Sequence, residues 1–118
     1  MLIKVDSSSD QPLFAQLAAS IRADAAAGRL KPGERLPSAR EVAESLGINV
    51  HTVLHAYQEL RAEGLVELRR GRGAVLTEAA APLAALHPEV LALIAKAKEL
   101  GLPPETLSAY VEEIARES

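Results

Sequence analysis

At 118 residues, the chain has the length of one small domain or of a domain with a short appendage. Hydrophobic residues make up 48% but aromatic ones only 3%, so the core must be built from Leu, Val, Ile and Ala and is thin for an independent unit. The absence of cysteine excludes disulfides, thiolate chemistry and Cys-based zinc sites. The net charge of −3 hides a division along the chain: residues 29–73 carry eight Lys/Arg against six Asp/Glu, residues 74–118 three against seven.

The first ten residues alternate apolar and polar before Ser7-Ser8-Ser9, which reads as a flexible arm. No basic region followed by a long apolar stretch marks an export signal, and no apolar run approaches the roughly 18 residues of a membrane span. The expectation is a cytoplasmic protein without a membrane partner. A helix should start near Pro12, capped by Asp10 or Gln11, with Leu13, Phe14, Leu17, Ile21 and Ala25 on one apolar face and Gly28 at its end. Leu30-Lys31-Pro32-Gly33 fits a type II turn.

Ser38 and Glu41 form a Ser-x-x-Glu capping box, in which each side chain satisfies an unpaired backbone N–H. The helix it opens should run to about Leu46, burying Val42, Ala43 and Leu46, and stop at Gly47. Asn49 caps the next, which runs to about Ala62 with Val53, Ala56, Tyr57 and Leu60 inward; Tyr57 is expected in the core with its hydroxyl at the edge. Leu65 to Leu68 and Ala74 to Thr77 then flank Arg69-Arg70-Gly71-Arg72-Gly73, a hairpin with a basic tip. Three helices followed by such a hairpin give the layout of a winged helix-turn-helix.

After Thr77 the chain turns Ala-rich, a hinge or the entry to a helix. Pro88 to Leu100 reads as an amphipathic helix burying Val90, Leu91, Leu93, Ile94, Ala97 and Leu100, with His87 as its cap. Gly101-Leu102-Pro103-Pro104 breaks it, and Glu105 to Arg116 carries a stripe of Leu107, Tyr110, Val111 and Ile114. Two helices of this length cannot close their own core. A second copy of the chain is the favoured partner, with Leu91, Ile94, Leu107, Tyr110, Val111 and Ile114 as the dimerisation set. The expected fold is therefore mainly α with a small β-hairpin (α+β): a winged helix-turn-helix over residues 1–77 and a helical dimerisation tail over 78–118.

A helix-turn-helix presents the front of its second helix to base edges while neighbouring groups hold phosphates. The candidates are Asn49, Val50, His51 and Thr52, with His55 one turn on and Arg40 in the preceding helix. Asn, His and Thr can hydrogen-bond bases or phosphates, and Val50 can pack on a thymine methyl. In the wing, Arg69, Arg70 and Arg72 can grip phosphates or enter a minor groove, while Gly71 lets the backbone approach closely. His51 and His55 have the spacing of two metal ligands on one helix face, but with no cysteine and no second ligand pair no metal is expected. Nor does any catalytic triad, phosphate-binding loop or carboxylate pair stand out, so neither enzyme nor cofactor is expected. The competing reading is a winged helix that binds a protein instead of DNA.

These residues resemble the GntR family of bacterial transcription regulators. The likeness runs from Pro12-Leu13-Phe14-Ala15-Gln16-Leu17 through Gly28-Arg29-Leu30-Lys31-Pro32-Gly33 and Leu36-Pro37-Ser38-Ala39-Arg40. It continues through Leu46-Gly47-Ile48-Asn49, Thr52-Val53, Ala56-Tyr57 and Glu63-Gly64-Leu65 to Gly71-Arg72-Gly73. The resemblance implies operator contacts by Arg40, by Asn49, Val50, His51 and Thr52, and by Arg70 with Gly71. Many relatives have Ser or Arg near positions 49 and 50, which bears on the operator read. Most members carry a large effector domain, for which 118 residues leave no room; a two-helix tail is similar to the YtrA-type subfamily, whose members dimerise through it. The expectation is a homodimeric repressor on a pseudo-palindromic operator of double-stranded DNA. Whether a small-molecule effector binds at the dimer interface is left open, since no converging polar groups mark a site.

Overall fold

A computed structural model describes residues 5–6 and 8–118; the alternation read over Met1 to Lys4, and Ser7 of the serine run, lie outside the described residues. Five helices and one hairpin follow in order: α1 (Leu13–Ala26), α2 (Ala39–Leu46), α3 (Val50–Ala62), β1 (Val66–Arg69), β2 (Gly73–Leu76), α4 (Ala81–Glu99) and α5 (Pro104–Glu117), with one 3₁₀ turn (Glu78–Ala80) before α4. They fall into two compact units, Met1–Ala85 and Leu86–Ser118.

In the first unit, α3 packs against both α1 and α2, and the core is their shared interior. Leu17, Ile21, Val53 and Leu60 are fully buried there, joined by Leu36 from the segment before α2 and by Val66 and Leu76 from the hairpin. Phe14 and Leu46, expected inside, are only partly buried at the rim of this cluster. Pro12 itself is the N-cap of α1 and supplies no side-chain cap, so Asp10 and Gln11 do not fill that role. The segment before α1 is held by Gln16 instead. Its Nε2 donates to the carbonyls of Asp6 (3.0 Å) and Gln11 (2.8 Å), and its Oε1 accepts from the Asp6 amide. Asp6 in turn accepts from the Ser8 hydroxyl and amide, which hold its carboxyl below the ordinary aspartate range. That stretch is not a free arm.

Between α1 and α2, Glu34 N–H donates to the Lys31 carbonyl at 3.0 Å, closing a turn with Pro32 second and Gly33 third. Gly33 has φ +90°, which the third position of a type II turn requires. The capping box forms: the Glu41 amide donates to Ser38 Oγ (3.1 Å) and the Ser38 amide to Glu41 Oε1 (3.4 Å). Gly47 closes α2 at φ +67°, and Asn49 opens α3.

The hairpin is antiparallel, pairing Val66 with Leu76, Glu67 with Val75, Leu68 with Ala74 and Arg69 with Gly73. The chain at 33–36 runs along the other edge of β2. Leu36 N–H donates to Ala74 O (2.8 Å), Leu76 N–H to Glu34 O (3.0 Å), and Arg35 bridges Val75. With neighbours on both sides, β2 buries Ala74, Val75 and Leu76 in succession instead of alternating.

Helix α4 departs from the sequence reading at its start. Helix α4 begins at Ala81 and runs through Pro88, so His87 lies inside the helix and does not cap it. Pro88 forfeits one backbone hydrogen bond, and the alanines before it supply enough helix propensity to continue the helix upstream. The helical stretch Glu78–Glu99, 22 residues with an 18-residue window of mean hydropathy 1.3, is by length and composition alone long and apolar enough to cross a membrane, against the expectation from the sequence. In this chain alone, only Ala97 of the apolar set on α4 is buried. Leu91, Leu93, Ile94, Tyr110, Val111 and Ile114 are exposed, and Leu107 is half-buried. An apolar groove of about 380 Å³ runs between α4 and α5, with Lys98, Ser108 and Glu112 its only polar lining.

Candidate nucleic-acid interface

The front of α3 is shaped by its cap. Asn49 Oδ1 accepts from the His51 amide at 2.8 Å, which leaves the Asn49 side-chain nitrogen as its outward donor. His51 is exposed beside it, while Val50 and Thr52 are half-buried. Behind them Val53, Ala56, Tyr57 and Leu60 hold the helix in the core, so its polar end is presented on a rigid support. Its N-terminus also carries the positive end of the helix dipole, which favours a phosphate.

His55 is placed differently. Its ring stacks on Phe14 of α1 with centroids 3.7 Å apart and planes 15° from parallel, and its Nε2 lies 3.9 Å from Glu59 Oε1. It leans on the α1–α3 contact one turn behind His51, with half of its side chain still exposed. The same contact is fastened further along by the Arg22 guanidinium, which donates through two nitrogens to the Glu63 carboxylate.

Arg40 stands exposed in the first turn of α2 with no hydrogen bond or ion pair among the described residues. Its helix start is fixed twice: by the capping box, and by the Tyr57 hydroxyl, which donates to the Pro37 carbonyl at 2.6 Å. Burial, aided by the Glu41 carboxylate, pushes the Tyr57 phenol well above its ordinary value of 10.0. Tyr57 therefore ties α3 to the loop that presents α2.

The wing arginines divide. Arg69 Nε donates to Glu67 Oε1 at 2.6 Å and Arg72 Nη2 to the Gly33 carbonyl at 3.2 Å, whereas Arg70 has no such partner among the described residues. The Arg72 amide donates to the Arg69 carbonyl at 3.0 Å across the tip, and Gly71 takes φ +79° there. That left-handed residue lets the turn close without a side chain at its apex. Sequence reading missed three features: Arg35, exposed beside the wing and without a side-chain partner among the described residues; the Gln16 clasp; and Asp24, a carboxylate buried within α1. Asp24 could have been suspected from its place among inward positions of an otherwise apolar helix face.

No group of three or more His, Asp or Glu side chains able to hold a metal occurs among the described residues. What the arrangement offers is a polar helix front, an exposed Arg40 in the preceding helix and a glycine-tipped basic hairpin. These are the parts of a duplex-DNA reader.

Comparison with known proteins bears this out. The model of the bacterial regulatory proteins of the gntR family matches residues 13–76. The YtrA transcriptional repressor of Bacillus subtilis is 32% identical over 120 residues, covering 97% of this chain and 92% of the repressor. The solved structure of YtrA from Sulfolobus acidocaldarius, a GntR-family transcription factor, superposes with a TM-score of 0.62 at 34% identity over 84% of this chain and 99% of that one. The AraR DNA-binding domain, solved in complex with operator ORE1, shares the fold (TM-score 0.55, 23% identity, 65% of this chain and 94% of that one). These relatives are regulators of transcription and not enzymes. The chain belongs to the GntR family, resembles its YtrA-type members along nearly its whole length, and is a winged-helix DNA-binding transcriptional regulator.

Proposed function

We propose that this regulator is a cytoplasmic homodimeric repressor that binds a pseudo-palindromic operator. Residues 1–77 dock on DNA and residues 78–118 join two copies. Helix α3 enters the major groove, with Asn49, Val50, His51 and Thr52 at base edges and Arg40 at a guanine edge or a phosphate. The wing follows the neighbouring backbone or minor groove through Arg70 and Gly71. The observation that carries this reading is the capped front of α3 with Asn49 and His51 exposed, together with Arg40 of the preceding helix, an arginine without a partner among the described residues. The AraR domain bound to its operator supports docking by this fold, and the exposed apolar faces of α4 and α5 support pairing through the tail. The groove between α4 and α5 is assigned to the partner's helices and not to an effector, because its three polar side chains give little to orient a small molecule.

The test is a gel-shift titration on duplexes selected from a random library and on scrambled ones. Arg40→Ala and His51→Ala should weaken binding to the selected duplex more than to the scrambled one. Arg72→Ala should weaken both alike. Wild-type behaviour in all three variants defeats the docking.

A further inference from the structure

Between α3 and the wing the surface is hollowed into an open groove of about 450 Å³. Its walls come from three places: the segment leading into α2, the face of α3 that carries Leu54 and Tyr57, and the hairpin. Arg35 and Arg72 stand on it, Gly71 and Gly73 leave one wall without side chains, and Leu54 and Leu68 line it. Those two leucines are 41% and 61% exposed, large values for apolar side chains in an otherwise closed unit. Glu41 also reaches the groove, with one carboxylate oxygen engaged by the Ser38 amide. Arg35 has no hydrogen-bond or ion-pair partner among the described residues, and its backbone is fixed by the bridge to Val75 and by the bond from the Leu36 amide to Ala74 O.

We infer that this groove seats the sugar–phosphate strand that separates the major from the minor groove, and that Arg35 is a phosphate-positioning residue. The inference rests on the docking proposed above, with α3 in the major groove and the wing beside it. In B-form DNA, any protein surface lying between elements placed that way meets one backbone strand. That strand is alternately anionic and apolar. Arg35 and Arg72 supply the charge for its phosphates, and Leu54 and Leu68 supply contact for its deoxyribose faces. Because Arg35 is anchored through its main chain at the edge of β2, its contact fixes the wing's distance from the helix pair and hence the register of α3. Such a contact carries no base information.

The test uses a fluorescently labelled 30-base-pair duplex of mixed sequence, titrated with the full chain at several salt concentrations. Removal of one phosphate contact lowers the slope of log affinity against log salt by about 0.9. Arg35→Ala should show that loss and bind about tenfold more weakly at low salt, while Arg35→Lys, which keeps the charge, should recover the slope. Arg61→Ala, an exposed cation in the last turn of α3, should keep the wild-type slope. Arg40→Ala reports separately on the docking itself. If Arg40→Ala loses affinity but Arg35→Ala keeps both affinity and slope, the groove holds no phosphate and the inference falls alone. If neither variant changes, the docking falls with it. A loss of affinity in Arg35→Ala without a change of slope, or one that lysine does not repair, also overturns the assignment.

Discussion

Replacing Tyr57 with Phe removes one oxygen and nothing else, which makes it a clean probe of how α2 is held. The ring stays, so no cavity opens and no transfer term is lost. What disappears is the 2.6 Å bond to the Pro37 carbonyl, together with the coupling between α3 and the loop that presents Ser38 and Arg40. A net hydrogen bond contributes about 1 kcal/mol, and the stranded carbonyl adds up to about 1 more where water reaches it poorly. The expected loss is therefore about 1–2 kcal/mol, or a melting temperature lower by about 4–8 °C for each kcal/mol in a domain of this size. Thermal and urea unfolding followed by circular dichroism, at one fixed protomer concentration, would measure it. A pH series adds a second readout. The folded protein holds the phenol neutral above its ordinary value of 10.0, while the unfolded chain ionises near that value. This contribution is complete below pH 10 and is lost as pH rises toward the folded value. The wild type should lose stability in that window and Tyr57→Phe should lose correspondingly less. If the variant melts within about 0.5 kcal/mol of wild type and follows the same alkaline profile, Tyr57 is only core packing and the tie to α2 is energetically empty.

Two further outcomes follow from other parts of the structure. Asp24 is 1% exposed and its Oδ1 accepts from Arg29 Nε at 2.8 Å, while its Oδ2 has no hydrogen-bond partner among the described residues, so Arg29→Ala strands a buried carboxyl group. Because Arg29 is itself more than half exposed, the cost should be about 1–2 kcal/mol in urea unfolding, and adding Asp24→Leu should recover most of it; an Arg29→Ala variant as stable as wild type would show that water already solvates the carboxylate. In the tail, Ile94→Glu places a charge on the groove between α4 and α5. Sedimentation should then shift from dimer to monomer, with binding to a two-half-site duplex falling more than tenfold while a single half-site binds as before. A variant that remains dimeric refutes pairing through that face.

Much of the fold was legible because its signals are local. A capping box needs only Ser38 and Glu41 three residues apart, the turns need Gly33 and Gly47 where φ must be positive, and helical spacing alone marks Val53, Ala56, Tyr57 and Leu60 as inward. From these, the helix pair, the basic hairpin and the family could be read without coordinates. The start of α4 could not, because Pro88 is a local start signal and the alanines upstream carry the helix back past it. Partnerships between distant residues were likewise out of reach. Only the packing of α1 on α3 turns His55 toward Phe14, away from the polar front that its four-residue spacing from His51 suggested. Only the pairing of residues 33–36 with β2 brings Arg35 beside the wing and ties Arg72 to Gly33. The sequence determined which helix carries the polar front and which hairpin carries the charge. The tertiary structure decided which of those side chains are free, because a side chain's hydrogen-bonding capacity is shared among whatever neighbours the fold supplies, and those neighbours lie up to 41 residues away.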